Sequence, residues 1–107
     1  MVPIQDIKRY CDAIAAAVKP KRIILFGSHA YGKPNEDSDV DVLVVMPKAR
    51  RAGTQTAIKI REQVDADFSV DVLVRGEQEV EHRVRESDLF MTRITREGRI
   101  MYEAVNA

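Results

Sequence analysis

Aspartate gains nothing from lying inside an apolar strand, yet this chain puts it there more than once. The run Val40-Asp41-Val42-Leu43-Val44-Val45 has the β-branched content of a buried strand, and Asp39 stands just ahead of it. Side chains alternate faces along a strand, so Asp39 and Asp41 share one face, roughly 7 Å apart along the backbone. Two carboxylates on one face repel each other and cost desolvation unless a cation lies between them. Hard divalent cations such as magnesium take such oxygen ligands. The pair therefore points to a metal site. The pattern also recurs: Val40-Asp41-Val42-Leu43-Val44 returns letter for letter as Val70-Asp71-Val72-Leu73-Val74, thirty residues on. That offset is about one strand–helix–strand unit. If the two strands are parallel neighbours, Asp71 falls beside Asp41 and three carboxylates converge.

What precedes the pair suggests what the metal would hold. Gly27-Ser28 follows the apolar strand Arg22 to Phe26 directly. Glycine lets backbone approach a ligand closely and adopt dihedrals closed to other residues. A short helix from Ser28 aims free N–H groups at an anion, with the serine hydroxyl as a further donor. Phosphate donors beside paired carboxylates describe a nucleoside triphosphate with its metal. The turn is not a Walker loop, because Lys33 is followed by Pro34 rather than by Ser or Thr.

At 107 residues, 45% hydrophobic and 32% charged, the chain has the make-up of one folded domain, 1–107. Formal net charge is zero, which argues against broad electrostatic capture of nucleic acid. No apolar run approaches the ~20 residues of a membrane span, and the N-terminus has no secretory apolar core. The single Cys11 has no internal disulfide partner, in keeping with a reducing cytoplasm.

Periodicity places the remaining elements. Ile4, Ile7, Cys11, Ile14 and Val18 predict an amphipathic helix over 4–18, ended by Pro20, with Cys11 as a packing residue. Val40 to Met46 forms the second strand and Pro47 stops it. Lys48 to Gly53 reads as a basic loop, Thr54 to Asp65 as a helix and Phe68 to Arg75 as the third strand. Glu77 to Arg85 is helical with Val80 and Val84 inward and His82 solvated. Ser87 is the candidate cap of a further helix that uses Met91 and Ile94 and stops at Gly98. Arg99 to Glu103 makes a short last strand. These elements make an α/β (α+β) chain, a small mixed β-sheet flanked by helices.

Gly27-Ser28, ten residues, Asp39-Val40-Asp41 and then a strand-borne Asp71 resemble the nucleotidyltransferase superfamily that includes DNA polymerase beta. In size and coverage the chain looks like the minimal nucleotidyltransferases, the MNT family. The resemblance implies the nucleotidyltransferase fold, with the triphosphate of ATP on Gly27 and Ser28. It implies two magnesium ions, or manganese, on the catalytic residues Asp39, Asp41 and Asp71, with Asp71 also activating the attacking hydroxyl. Many relatives carry arginine in the turn, where this chain has His29, Ala30 and Tyr31. His29 reads as a loop residue, Tyr31 as packing, and Glu36 and Asp37 as solvated.

The chain shows no separate acceptor-binding domain. Small members of the family act with a HEPN-domain toxin as antitoxins, in a hetero-oligomer, transferring AMP to a tyrosine of the partner. That is the expectation here. The alternatives are nucleotidylation of a small hydroxylated molecule, as in aminoglycoside-modifying relatives, and a non-catalytic module that binds nucleotide or protein.

Overall fold

The computed structural model describes residues 1–47 and 52–105, without the side chain of Ala52. Helix α1 (Ile4–Val18) leads into strand β1 (Arg22–Phe26), the one-turn helix α2 (Ser28–Tyr31) and strand β2 (Val40–Met46). Helix α3 (Ala52–Gln63) then crosses to strand β3 (Val70–Gly76). Helices α4 (Glu77–Arg85) and α5 (Leu89–Glu97) and strand β4 (Arg99–Glu103) complete the chain.

The four strands make one mixed sheet in the order β3-β2-β1-β4. β2 and β3 run parallel with Val40 opposite Val70 and Asp41 opposite Asp71, so the repeated pentapeptides lie side by side in register. α3 is the crossover that parallel neighbours require. β1 is antiparallel to both β2 and β4. Its last residue, Phe26, faces Asp41, which puts the end of β1 and the start of β2 at one end of the sheet.

Both faces of the sheet are covered, and strand alternation divides the core in two. Ile23, Leu25, Val40, Val42 and Val44 pack against Ile7, Cys11 and Ile14 of α1 and Ile60 of α3. Ile24, Phe26, Leu43 and Val45 pack against Val80 of α4 and Met91 and Ile94 of α5. The β2 interior is therefore apolar on both faces, as a central strand should be. The run is broken at Asp41, which falls on the α4/α5 face with Leu43 and Val45. Among the described residues no helix is long and apolar enough to cross a membrane.

Element ends carry several corrections. α1 buries Tyr10 as well, edge-on to Phe68 at 5.6 Å, while Ile4 at its start is exposed. Cys11 is fully buried and burial pushes its thiol up to about 12, so it is an inert packing group. α3 begins at Ala52 rather than Thr54 and ends at Gln63, and β3 begins at Val70 rather than Phe68. Lys48 to Arg51 of the expected basic loop lie outside the described residues, and its last two positions, Ala52 and Gly53, belong to α3. The cap of α5 is Asp88, not Ser87: its Oδ1 accepts the Met91 N–H at 2.9 Å. Gly98 does end α5, but with φ −66°. What requires glycine is space, since a Cβ there would stand 2.3 Å from the Ile94 carbonyl oxygen and 2.5 Å from Ile24 Cγ2.

Candidate active site

The site forms where the end of β1 meets the start of β2 and β3. Gly27 turns the chain out of β1 with φ +75° and ψ −155°, a region essentially restricted to glycine. Its missing side chain leaves room for the carboxylate of Asp41: a Cβ built on Gly27 would lie 2.3 Å from Asp41 Oδ2. Gly27 also opens α2, its carbonyl accepting the N–H groups of Ala30 and Tyr31, both at 3.0 Å. That bonding leaves the N–H groups of Ser28 and His29 without an acceptor in the turn.

Asp41 is half-buried between Phe26 on one neighbouring strand and Asp71 on the other. Its carboxyl is pushed above the usual carboxylate range, first by desolvation and then by the charges of Asp71 and Asp39. A hydrogen bond to Asp71, which the protonated form donates, adds to the rise, and His29 opposes it. The structure thus brings Asp41 and Asp71 together. Asp39 lies one residue ahead of β2, exposed, and acts on Asp41 through charge alone. A tight turn presents it: Asn35 Oδ1 accepts the Asp37 N–H at 2.8 Å, and Ser38 Oγ accepts the Asn35 N–H at 2.9 Å. Glu36 and Asp37 in that turn are solvent-exposed.

The raised pKa of Asp41, set by desolvation and then by the charges of Asp71 and Asp39, is what a cation would relieve, and the donors are hard oxygens. Magnesium commonly takes one or two protein carboxylates and completes its shell with water and substrate phosphate. The Asp41–Asp71 pair, with Asp39 in charge range, fits that use. Among the described residues no three His, Cys, Asp or Glu side chains form a ready-made metal cage.

A cavity of about 560 Å³ opens over the pair. Gly27, Asp41 and Asp71 form its acidic end, while Phe26, Tyr31 and Phe90 line it with aromatic rings. Phe90 stands edge-on to Phe26 at 5.7 Å. Arg93 closes the wall, its guanidinium 4.2 Å above the centre of the Tyr31 ring. Ser28 and Asp39 are not part of this wall. Asp71 also borders a second cavity of about 430 Å³, between β3 and α3.

Two residues of the wall escaped the reading of the sequence. Phe90 and Arg93 sit three apart on α5, on the stripe beside the buried Met91 and Ile94. The i, i+3 spacing marks them as one surface, but only the fold shows that the surface overlooks the aspartates. His29, read as a loop residue, is half-buried inside α2. Its Nε2 accepts the Val2 N–H at 3.4 Å, and its buried Nδ1 has no partner among the described residues.

Comparison with known proteins agrees with this geometry. A family model described as "Nucleotidyltransferase domain" matches residues 7–98. A Methanocaldococcus jannaschii protein described as a putative protein adenylyltransferase is 38% identical over 72 residues, covering 63% of this chain and 71% of that one. A crystal structure described as a putative nucleotidyltransferase from Sulfolobus solfataricus superposes with a TM-score of 0.66. It covers 94% of this chain and 79% of that one at 18% identity, which is a likeness of fold.

Proposed function

The chain belongs to the nucleotidyltransferase domain family, and from that premise we propose that it transfers AMP from ATP to a hydroxyl of a partner protein. The observation that carries the reading is the placement of Asp41 against Asp71 across parallel strands, with the glycine turn packed on Asp41 Oδ2. The description of the Methanocaldococcus jannaschii relative supports a protein as the acceptor.

In this reading Gly27 and Ser28 receive the triphosphate, backbone N–H groups and the Ser28 hydroxyl donating to its oxygens. Asp39, Asp41 and Asp71 would hold two magnesium ions, or manganese. When bound, these would neutralise phosphate charge and polarise the phosphoryl oxygens. Asp71 borders the aromatic cavity beside Asp41, so it can stand between nucleotide and acceptor. It orients the acceptor hydroxyl and takes its proton. The hydroxyl oxygen bonds to the α-phosphorus in line, the α–β bridging P–O bond breaks, and pyrophosphate leaves. Holding the two reactants in that line supplies much of the rate.

A HEPN-domain toxin is the proposed partner, with this chain as its antitoxin in the cytoplasm. The test is intact-mass spectrometry of such a partner co-expressed with the chain. Wild type should add whole AMP units, and Asp71→Asn should add none while still binding ATP. A partner left unmodified yet inhibited by both proteins would replace transfer with neutralisation by contact.

A further inference from the structure

The acidic end of the cavity is the wrong sign for a polyphosphate. Asp41 and Asp71 face it with Asp39 nearby, and the turn Gly27-Ser28-His29-Ala30-Tyr31 contains neither arginine nor lysine. Among the described residues the cavity wall has one cationic side chain, Arg93, and it comes from α5 rather than from the turn.

Arg93 is held in a defined attitude. Its guanidinium lies 4.2 Å over the Tyr31 ring, a cation–π distance, and its Nε donates to Glu97 Oε2 at 3.1 Å. The Tyr31 ring lies against the guanidinium and Glu97 occupies its Nε edge. The two terminal nitrogens are left as a fork, which is the geometry that takes phosphate oxygens bidentately. The pair to Glu97 is solvent-exposed on both sides, 56% and 55%, so it competes weakly with a polyanion.

Resting on the reading of the site as an ATP site, we propose that Arg93 is the cation that binds the polyphosphate, with Tyr31 as its positioning residue. The phosphate pocket is then built from two distant segments, the Gly27 turn and α5. The guanidinium stands over the fourth residue of α2, one helical turn beyond Gly27.

Calorimetry with ATP and with inorganic tripolyphosphate, each with magnesium, tests this on four variants. Arg93→Met keeps the aliphatic cover of α5 and should bind both ligands more weakly, on the order of 10–100-fold, as loss of a charge-assisted bidentate contact implies. Arg93→Lys should recover part of that loss. Tyr31→Phe, which keeps the ring face, should bind like wild type, whereas Tyr31→Leu should lose several-fold. Both Arg93 variants should keep the wild-type urea midpoint within experimental error, whereas Tyr31→Leu, which also loses packing against the core, is compared by affinity alone under conditions where it is fully folded. Arg93→Met binding ATP as wild type does would overturn the assignment, as would loss of ATP affinity without loss of tripolyphosphate affinity. A parallel fall in the urea midpoint would overturn it too, by making the residue structural. A wild type that binds neither ligand would instead remove the ATP site itself.

Discussion

Replacing Gly27 by alanine tests whether the turn and the aspartate were shaped to each other. Two costs are separable in the structure. The backbone conformation, φ +75° and ψ −155°, is one that residues with a side chain adopt at about 1–3 kcal/mol. The new Cβ would then meet Asp41 Oδ2 at 2.3 Å and Cγ at 3.2 Å, pushing that side chain off its rotamer for about 0.5–1.5 kcal/mol more. The sum, about 1.5–4.5 kcal/mol, is a large part of a small domain's stability but leaves most molecules folded. With a urea slope near 2 kcal/mol per molar, the midpoint should fall by about 1–2 M. The assay is urea unfolding of Gly27→Ala in the wild-type and Asp41→Ala backgrounds. In the second background the carboxylate is gone, so the backbone cost alone should remain and the penalty should shrink by about 0.5–1.5 kcal/mol. A full-sized penalty in both backgrounds would show that the side chain does not need the vacancy at Gly27. A cost below about 0.5 kcal/mol in the wild-type background would refute the strain argument altogether.

Asp41 has a raised folded-state pKa, so its contribution is fully present below the unfolded value near 3.9 and lost as pH rises through the folded one. In EDTA, the urea midpoint of Asp41→Asn minus that of wild type should therefore grow as pH rises from about 3.5 to neutrality. A difference that shrinks over that interval would contradict the shift. The same variant should lose most of the magnesium dependence of ATP binding, measured by calorimetry with and without the metal. Asp88→Ala removes the acceptor of the Met91 N–H and should cost about 1 kcal/mol, read as a urea midpoint shift. Ser87→Ala, which was the expected cap, should cost less.

The thirty-residue echo was the most legible part of the fold. Letter-for-letter repetition of Val-Asp-Val-Leu-Val translates into register, because parallel strands joined by one helix align like with like, and Asp41 meets Asp71. Core helices were legible for the same reason, periodicity. What escaped depends on which distant surfaces meet. Nothing in the letters orients β1 against β2, so the placement of Phe26 opposite Asp41 had to come from the fold. Phe90 and Arg93 flank the core stripe of α5 and are outer with respect to the core. They matter because α5 lies beside α2, a contact between segments some sixty residues apart. The α5 cap was misplaced by one residue because Ser87 and Asp88 are both good cap types. Ser87 takes a positive φ of 62° and leaves the cap position to its neighbour.

The join between β1 and β4 has its own consequence. The register steps from Ile23↔Tyr102 to Ile24↔Ile100, so Met101 has no counterpart on β1 and forms a bulge. Lys8 of α1 reaches across and donates to the Met101 carbonyl at 2.8 Å. A bare sheet border is a template on which a foreign chain can add itself and begin a fibre. Here that border is five residues long, interrupted in its middle, sealed by an ammonium group and ended by the exposed charges of Arg99 and Glu103. Such a margin offers little to edge-to-edge pairing, and the lysine that closes it has its other partner, Asp12, one turn away on its own helix.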